Sequence, residues 1–335
     1  MIAFDDEMFD VDAVAAGAWV PGPYGAGDRL GSYNEVSAEK RAASLAMLDT
    51  SAPLQTYSLG MVVFNGFPAF SDRCYEQKLV LAGYQPGHDF EGIVRNPQPL
   101  GPNCVSYHEE KVLTSYNLAS KINGLLHVGL GDLFYDGLRG DDIARSWGIA
   151  ELDTTTWGAP LLTRGFLLDI VGLEAERGGR VFRAANEKLV LEDNYRVTLE
   201  DLLEAIARQG LPAFEAGDAL LLRTGWGNLV RSDPERFLAA SPGPWLRETR
   251  WLASSRPALV ATDSWVWGTM DPVITAKNYS ACHQELCMRF GIRFGEGFGL
   301  EAIAEAGVDR FVFCHNPLSA EGGTSASSPA LAIAN

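Results

Sequence analysis

One stretch of this chain combines polar and apolar residues in a way that constrains its surroundings: Asn117-Leu-Ala-Ser-Lys-Ile-Asn-Gly-Leu-Leu-His127. Within it, Lys121 has the apolar neighbours Ile122, Leu125 and Leu126, which indicates that the segment is largely buried. A buried ammonium group costs several kcal/mol unless an anion pairs with it. The stretch therefore predicts a buried lysine whose carboxylate partner comes from elsewhere in the chain.

Further blocks with distinctive spacing lie on both sides of this stretch. They are Asp28-Arg-Leu-Gly-Ser-Tyr-Asn34, Tyr57-Ser-Leu-Gly60, Tyr135-Asp-Gly137, Thr163-Arg-Gly-Phe-Leu-Leu-Asp169, Gly217-Asp-Ala-Leu-Leu-Leu-Arg-Thr-Gly-Trp226, the pair His283 and Glu296, and Gly322-Gly-Thr-Ser-Ala-Ser-Ser-Pro329. Together with residues 117–127 they resemble, in the same order, the blocks of the cyclase / kynurenine formamidase-like family, which includes isatin hydrolase-like proteins. That family carries the signature His-x-Gly-Thr-His-x-Asp-x-Pro-x-His at this place.

The resemblance implies an α/β fold with a mixed central β-sheet or barrel-like core that is flanked by helices. We expect one cyclase-like domain over residues 1–335, with residues 1–25 as an N-terminal extension. The sequence contains no low-complexity tract, internal repeat or Gly/Ser linker that would mark a domain boundary. The composition of the chain therefore agrees with a single domain.

The resemblance also places unsuitable side chains where the family binds a divalent metal. Asn117 and Lys121 fall on two ligand histidines, and Asn123 falls on the ligand aspartate. His127 falls on the final histidine, which that family uses for proton transfer. Neutral imidazoles and carboxylates bind divalent metals, whereas an amide is a weak ligand and an ammonium group is none. The chain is identified as a divergent member that lacks most of the metal ligands.

Charge and composition exclude several classes of function. The net charge of −16 argues against a nucleic-acid partner, because such binding depends on Lys and Arg side chains that neutralise phosphates. No apolar run approaches the roughly 18 residues that a membrane span needs. Residues 1–10 are acidic and lack a basic region and a cleavage site, so we expect no signal peptide. We expect a cytoplasmic protein whose five cysteines are reduced.

Local patterns predict helices at 37–47, 198–210, 281–290 and 300–306, and strands at 78–82, 111–115, 218–223, 258–262 and 310–314. The helix at 198–210 has the clearest ends, since Thr198 can cap its start and Gly210 can adopt the left-handed conformation after it. Charged residues beside the strands are expected to form buried pairs that hold loops. These residues are Arg164, Asp169, Asp218, Arg223 and Asp263.

His127 and Lys121 are the principal candidates for catalysis. An imidazole with an ordinary pKa of about 6.5 suits general acid–base work at neutral pH. We expect Glu296 to pair with Lys121, which would place a fixed positive charge where the family keeps its metal. That charge can polarise a carbonyl group or stabilise an oxyanion. A covalent imine on Lys121 is the alternative, and the electrostatic role is favoured because nothing else in the sequence signals an imine mechanism.

A residual metal site is a further alternative. His127, His283 and Glu296 together would form a set of two histidines and one carboxylate, which suits a catalytic zinc ion. The charge of Lys121 argues against it, because an ammonium group repels a cation at close range. We therefore expect no cofactor. The candidate site is completed by residues expected to contact the substrate, namely Asn117, Ser120, Asn123 and Trp265.

These residues and the resemblance predict a metal-independent hydrolase of a small cyclic or aryl carbonyl compound, such as an amide, lactam or lactone. His127 is the expected general base, and Lys121 stands in place of the metal. Two alternatives stay open at this point. One is a lyase or cyclase in which His127 moves a proton without the addition of water, and the other is a binding homologue without catalysis. The resemblance further implies a small-molecule substrate and a homodimer.

We expect the purified protein to hold no stoichiometric transition metal. Asn117, Lys121 and Asn123 occupy three ligand positions, and tight metal binding depends on the number and geometry of ligands. Elemental analysis after dialysis measures this directly. About one zinc or manganese ion per chain, retained through dialysis, would contradict the expectation.

Overall fold

A computed structural model of the protein describes residues 8–82, 94–96, 101–276 and 278–335. The first seven residues of the predicted extension 1–25 lie outside the described residues. The remainder of the extension contains helix α1 (Val11–Ala15), whose first turn is capped by the side chain of Asp10. Val14 of this helix is buried and packs with Leu133 and Met288. These apolar contacts hold the helix against the rest of the protein.

Most strands of the described chain are short. In chain order they are β1 (Gln55–Ser58), β2 (Tyr75–Ala82), β3 (Val94–Asn96), β4 (Tyr107–Thr114), β5 (Lys121–Asn123), β6 (Ala144–Arg145), β7 (Gly148–Ile149), β8 (Leu161–Asp169), β9 (Val181–Arg183), β10 (Leu189–Leu191), β11 (Ala219–Arg223), β12 (Leu259–Thr262), β13 (Arg293–Glu296), β14 (Arg310–His315), β15 (Ser325–Ala326) and β16 (Leu331–Ala334).

The helices that follow α1 are also short. They are α2 (Ala38–Leu45), α3 (Gly140–Ile143), α4 (Ile170–Glu176), α5 (Leu199–Gln209), α6 (Leu229–Ser232), α7 (Pro234–Ala239), α8 (Leu246–Ser254), α9 (Pro272–Thr275), α10 (Ala281–Gln284) and α11 (Glu301–Glu305). Within the described ranges, no helix has both the length and the apolar character that crossing a membrane requires.

Among the described strands, nine form one mixed sheet in the order β1-β16-β14-β8-β11-β12-β13-β5-β15. The middle strands β8, β11, β12 and β13 are parallel neighbours, and the pairs toward both edges are antiparallel. Helices flank this sheet, so the expected α/β fold with a mixed central sheet is confirmed. Strands β2, β3 and β4 form a separate three-stranded sheet.

The apolar run in β11 explains why this strand lies in the middle of the sheet. All of its residues are buried, as is typical of a parallel strand that is covered on both faces. Leu220 and Leu222 point into one apolar core, which also contains residues of α4, α5 and α8. Ala219 and Leu221 point into a second core on the opposite face, which α11 helps to close. The alternation of side chains along one strand thus joins two cores through the sheet.

Most of the predicted elements are confirmed to within a few residues. The helix at 198–210 is α5, where Thr198 and Asp201 form a capping box and Gly210 has a φ of 60°. The helices expected at 37–47 and 300–306 are α2 and α11, and the strands expected at 218–223, 258–262 and 310–314 are β11, β12 and β14. The runs 78–82 and 111–115 fall in the longer strands β2 and β4, which pair with each other outside the main sheet.

The helix predicted at 281–290 is wrong in its second half. Helix α10 ends at Gln284, and Glu285–Arg289 continue as a π-helix turn. Glu285 is fully buried in this turn and forms an ion pair with Arg250 of α8. Such turns are rare and depend on their tertiary surroundings. Arg250 and Glu285 are far apart in sequence, so local helix propensity cannot predict this contact.

Buried polar contacts hold the loops at the carboxyl ends of the parallel strands, as expected. Arg223 at the end of β11 pairs with Asp169 at the end of β8, with 2.8 Å between Nη1 and Oδ1. Asp263 follows β12 and accepts hydrogen bonds from the backbone N–H groups of Thr224 at 2.9 Å and Gly225 at 2.7 Å. The loops after β11 and β12 are therefore tied together, and the second one continues into the candidate site.

Candidate active site

The candidate active site lies where β5 pairs with β13 and β15 near one edge of the sheet. The antiparallel register of β5 and β13 sets Lys121 directly opposite Glu296. On the other side of β5, Ser325 of β15 is opposite Asn123. Because side chains alternate along a strand, Lys121 and Asn123 share one face, while Ile122 points into an apolar core. Directly opposed residues are close enough to interact, so the register brings the charged pair together.

Lys121 and Glu296 form a buried ion pair. The Lys121 Nζ atom lies 3.1 Å from Glu296 Oε2, and each residue is only 3% exposed. Glu296 Oε2 also accepts a hydrogen bond from Asn123 Nδ2 at 3.0 Å, and Oε1 accepts one from the backbone N–H of Trp267 at 2.7 Å. Lys121 donates a further hydrogen bond to the carbonyl oxygen of Trp265 at 3.1 Å. Both charges are therefore neutralised and hydrogen-bonded away from water.

These contacts favour the charged forms of both partners. Burial acts to raise the pKa of Glu296, but the charge of Lys121 and the N–H group of Trp267 are among the contacts that outweigh it and lower that pKa to about 2. Burial lowers the pKa of Lys121 from its ordinary value, and the charge of Glu296 opposes this shift. The site thus contains a carboxylate and, facing it, an ammonium group that loses its proton more readily than a lysine in water.

His283 on α10 lies against the same carboxylate. Its Nε2 atom is 3.0 Å from the carbonyl oxygen of Trp267 and 3.4 Å from Glu296 Oε1. A carbonyl oxygen can only accept, so Nε2 carries the hydrogen and donates it. The ring stacks on Phe294 with 4.6 Å between ring centres. Burial lowers the pKa of His283, against the opposing charge of Glu296, so this histidine is neutral at physiological pH.

An amide group orients His127 in the cleft. The Nδ2 atom of Asn117 lies 3.3 Å from His127 Nε2 and 3.0 Å from Ser325 Oγ, and it also donates to the side-chain oxygen of Asn123. The amide has two hydrogens for these three contacts, and its contact with His127 fixes the position of the ring. Burial lowers the pKa of His127 to about 3, and the charge of Glu296 opposes that shift. His127 is therefore a neutral imidazole with an acceptor nitrogen held in place.

A cleft of about 390 Å³ gives access to these groups. Asn117, His127 and His283 line it on one side, and the stacked rings of Phe70 and Trp265 line it on another, with 5.7 Å between ring centres. A narrower, mostly apolar cavity reaches Lys121 and shares Asn117, Phe70 and Trp265 with the cleft. The volume and the aromatic wall suit one small, flat molecule.

The structure brings together most of the predicted site residues. These are Asn117, Lys121, Asn123, His127, Trp265, His283 and Glu296. Ser120 lies elsewhere, because its Oγ atom donates to the carbonyl oxygen of Gly297 at 2.6 Å and accepts from the N–H group of Met61 at 2.7 Å. It joins two loops, so the expectation that Ser120 contacts substrate in this cleft is corrected. The alternation of side chains explains the difference, since Ser120 and Lys121 are adjacent and face opposite ways.

Sequence reasoning missed three residues at the site. Phe70 and Arg73 lie between β1 and β2 and line the cleft, but no block with family-like spacing marks this segment. Ser325 lies in the tail block and bonds to both Asn117 and Asn123, at 3.0 Å in each case. Only the pairing of β15 with β5 shows that this serine belongs to the site.

The side chains present do not fit a divalent metal ion. Within the described ranges, no group of three or more His, Cys, Asp or Glu side chains is arranged to hold one. Both oxygens of Glu296 accept hydrogen bonds, and Nε2 of His283 donates to a carbonyl group. The ammonium group of Lys121 stands beside the carboxylate that would have to bind the ion. This donor set therefore disagrees with the metal site that the resemblance implies.

Comparison with known families gives one match. The family model "Cyclase", described as "Putative cyclase", matches residues 57–269, which is more than half of the chain. The matched range includes the stretch 117–127 and Trp265, and it ends before His283 and Glu296. No curated protein matches the chain.

Solved structures share the fold. A crystal structure described as a novel cyclase is 23% identical, with a TM-score of 0.74 over 93% of this chain and 98% of the other. Isatin hydrolase A from Ralstonia solanacearum is 15% identical, with a TM-score of 0.59 over 88% of this chain and 95% of the other. An isatin hydrolase bound to the product analogue thioisatinate is also 15% identical, with a TM-score of 0.54 over 89% and 98% of the two chains. At these identities the likeness is one of fold.

The buried ion pair generates a prediction about stability. Lys121→Met leaves the Glu296 carboxylate buried without its cation, so we expect the free energy of unfolding to fall by about 3–5 kcal/mol. The double variant Lys121→Met/Glu296→Gln removes both charges and should recover part of that loss, since Gln keeps one acceptor for the N–H group of Trp267. Urea-induced unfolding measures both values.

The matched control is the exposed pair Lys188 and Glu305, whose side chains are 41% and 51% exposed. Lys188→Met should change the free energy of unfolding by less than about 1 kcal/mol. Equal effects of Lys121→Met and Lys188→Met would show that the buried pair contributes no more than a surface pair.

Proposed function

We propose that this chain, which belongs to the cyclase family, is a hydrolase of a small cyclic or aryl carbonyl compound (an amide, lactam or lactone) and works without a catalytic metal. The observation that carries the proposal is the buried ammonium group of Lys121, held by Glu296 at the positions where the resemblance implies a metal. The fold of the isatin hydrolases supports the substrate class, because those proteins are named for the hydrolysis of a cyclic amide.

Lys121 supplies the positive charge in this proposal. An ammonium group has three hydrogens to donate, and the structure accounts for two, which go to Glu296 and to the carbonyl oxygen of Trp265. The third is available to a substrate carbonyl oxygen in the narrower cavity, which Lys121 lines. A fixed charge in a water-poor site stabilises a developing oxyanion strongly, because little solvent competes with it.

His127 moves the proton. The oxygen of a water molecule attacks the carbonyl carbon, and one of the water protons passes to the unprotonated ring nitrogen of His127. The tetrahedral oxyanion that forms is stabilised by Lys121. The bond between the carbonyl carbon and the leaving nitrogen or oxygen then breaks, and the protonated His127 returns its proton to the leaving atom. The products are a carboxylic acid and an amine or alcohol, which remain one molecule when the substrate is cyclic.

Because the pKa of His127 is low, this mechanism requires the basicity of His127 to rise during the reaction. A pKa of about 3 keeps the ring neutral and ready to accept, yet makes it a weak base in the free protein. As the reaction proceeds, negative charge develops on the substrate and favours the imidazolium form of His127. The basicity of His127 therefore rises as the substrate becomes negatively charged, and the contact with Asn117 keeps the ring in position.

Two other functions use the same residues. In a lyase or cyclase, His127 moves a proton and no oxygen from water enters the product. In a binding homologue, the cleft holds its ligand without turnover. Reaction in ¹⁸O-labelled water separates these functions, since only hydrolysis places the label in the carboxylate product. The homodimer and the cytoplasmic location expected from the sequence stay predictions.

We predict that Lys121→Met lowers kcat by about 10²–10³-fold, the usual loss when an oxyanion donor is removed. His127→Ala should lower it by a similar or larger factor, because the general base is lost. A panel of aryl lactams, lactones and anilides that includes isatin serves for the assay, and circular dichroism checks that each variant is folded. Lys111→Met, on the exposed strand β4, is the control of equal charge change.

Borohydride treatment in the presence of substrate separates the electrostatic role from the covalent one. The electrostatic role forms no imine, so the protein should remain unlabelled. Covalent trapping at Lys121 would favour the imine route instead. Full activity of Lys121→Met would show that the lysine only fills the place of a lost metal.

The shifted pKa values predict an unusual pH profile. Since His127 has a pKa of about 3, kcat/KM should show no inflection near its ordinary value of about 6.5. On the basic side, activity should be lost as the pH rises, and the loss should begin at a pH lower than the ordinary lysine pKa of about 10.4. The reason is that burial makes Lys121 lose its proton more readily. Initial rates across the stable pH range measure both limbs. An acid limb centred near pH ~6.5 would mean that His127 is solvated or is not the base.

A further inference from the structure

Arg73 adds a second positive charge to the cleft. Its side chain is half-buried, lines both the cleft and the narrower cavity, and holds its guanidinium group 5.7 Å from the centre of the Phe70 ring. Among the described residues, no carboxylate forms an ion pair with Arg73. Arg164 and Arg223 differ in this respect, because each pairs with a carboxylate at 2.7–2.8 Å. Toward the part of the chain that the structure describes, the guanidinium donors of Arg73 are therefore available to a ligand.

The charges around the cleft do not cancel. Lys121 and Arg73 are positive, Glu296 is negative, and His127 and His283 are neutral, so the group carries one net positive charge. This excess lies in a chain whose net charge is −16. The charge of Arg73 also acts on the other groups, since it lowers the pKa values of Lys121, His127 and His283. A positive cleft in an acidic protein attracts an anion.

The surroundings of Arg73 restrict the kind of anion. The near-parallel rings of Phe70 and Trp265 give the cleft a flat apolar wall beside the guanidinium group. A cleft of about 390 Å³ holds a one- or two-ring compound. Arginine binds a carboxylate through two parallel hydrogen bonds, which fixes the orientation of a planar ligand. The wall and the charge together suit an aromatic ring that carries a carboxylate.

We propose that the substrate is an aryl carboxylate, in which Arg73 binds a carboxylate separate from the carbonyl group that reacts. This inference rests on the proposed hydrolase and specifies its substrate class. In this arrangement the carboxylate anchors the ring against Phe70 and Trp265, and the reacting carbonyl group is directed toward Lys121 and His127. Arg73 is thus a specificity-determining residue, and the carboxylate that it binds is unchanged by the reaction.

Arg73 could instead bind the carboxylate that hydrolysis itself creates, which is a second source of the same ligand group. Simple aromatic acids distinguish the two sources without any need for turnover. Benzoate carries one carboxylate, phthalate, isophthalate and terephthalate each carry two, and benzamide is the neutral counterpart of benzoate. A site that receives only the product carboxylate treats benzoate and the dicarboxylates alike. A site with a separate carboxylate position binds at least one dicarboxylate more tightly.

Calorimetric titration of these five compounds tests the proposal with the wild-type protein, Arg73→Gln, Arg73→Lys and the control Arg41→Gln. Arg41 lies on α2, outside the lining of the cleft, and its replacement changes the net charge equally. We expect at least one dicarboxylate to bind the wild type about tenfold more tightly than benzoate, as one charge-assisted contact provides. Arg73→Gln should abolish this preference, Arg73→Lys should keep part of it, and Arg41→Gln should leave it unchanged.

Three results would overturn the proposal. They are the absence of dicarboxylate binding to the wild type, a dicarboxylate preference that persists in Arg73→Gln, and an equal loss of benzoate and dicarboxylate binding in that variant. The last result would assign Arg73 to the product carboxylate. Because the titration measures binding alone, failure here leaves the hydrolase proposal standing, and a lack of turnover leaves the binding result valid.

Discussion

The pairing of β5 with β13 is the constraint on which the rest of the site depends. It sets Lys121 opposite Glu296 in a region from which water is excluded, where neither charge is tolerable alone. Glu296 then collects its remaining donors from Asn123 and from the backbone of Trp267. The loop after β12 is held by that last contact as well as by Asp263. One ion pair therefore orders three segments that are distant in sequence.

The ammonium group of Lys121 influences the electrostatics of the whole cleft. A lysine carries one charge, donates hydrogen bonds in fixed directions and cannot bind several ligands at once. His127 and His283 are neutral, since burial and nearby positive charges oppose their protonation. The remaining excess of positive charge is contributed by Arg73, on a loop outside the blocks that resemble the family. The positive charges of Lys121 and Arg73 thus come from separate segments of the chain.

Several features of the fold could be predicted because they depend on neighbours in sequence. The capping box of α5 and the apolar run of β11 are local patterns, and both appear where expected. The pairing of Lys121 with Glu296 could also be predicted from the sequence, because a buried ammonium group without an anionic partner is very unfavourable. The π-helix turn at Glu285–Arg289 and the position of Ser120 could not be predicted from the sequence, since each depends on contacts between residues far apart in the chain.

The sequence by itself determined several of the helices and strands, the need of Lys121 for an anion and the lack of strong metal ligands at Asn117 and Asn123. These are properties of residue type and spacing, and they hold before any tertiary contact forms. Only the tertiary structure decided that Asn117 contacts His127 and that Arg73 enters the cleft. Loop segments carry no periodic pattern, and hydrogen-bond direction depends on neighbours that folding brings together. The physical reason is that strand register and loop packing, unlike local propensity, are set by contacts between residues far apart in the chain.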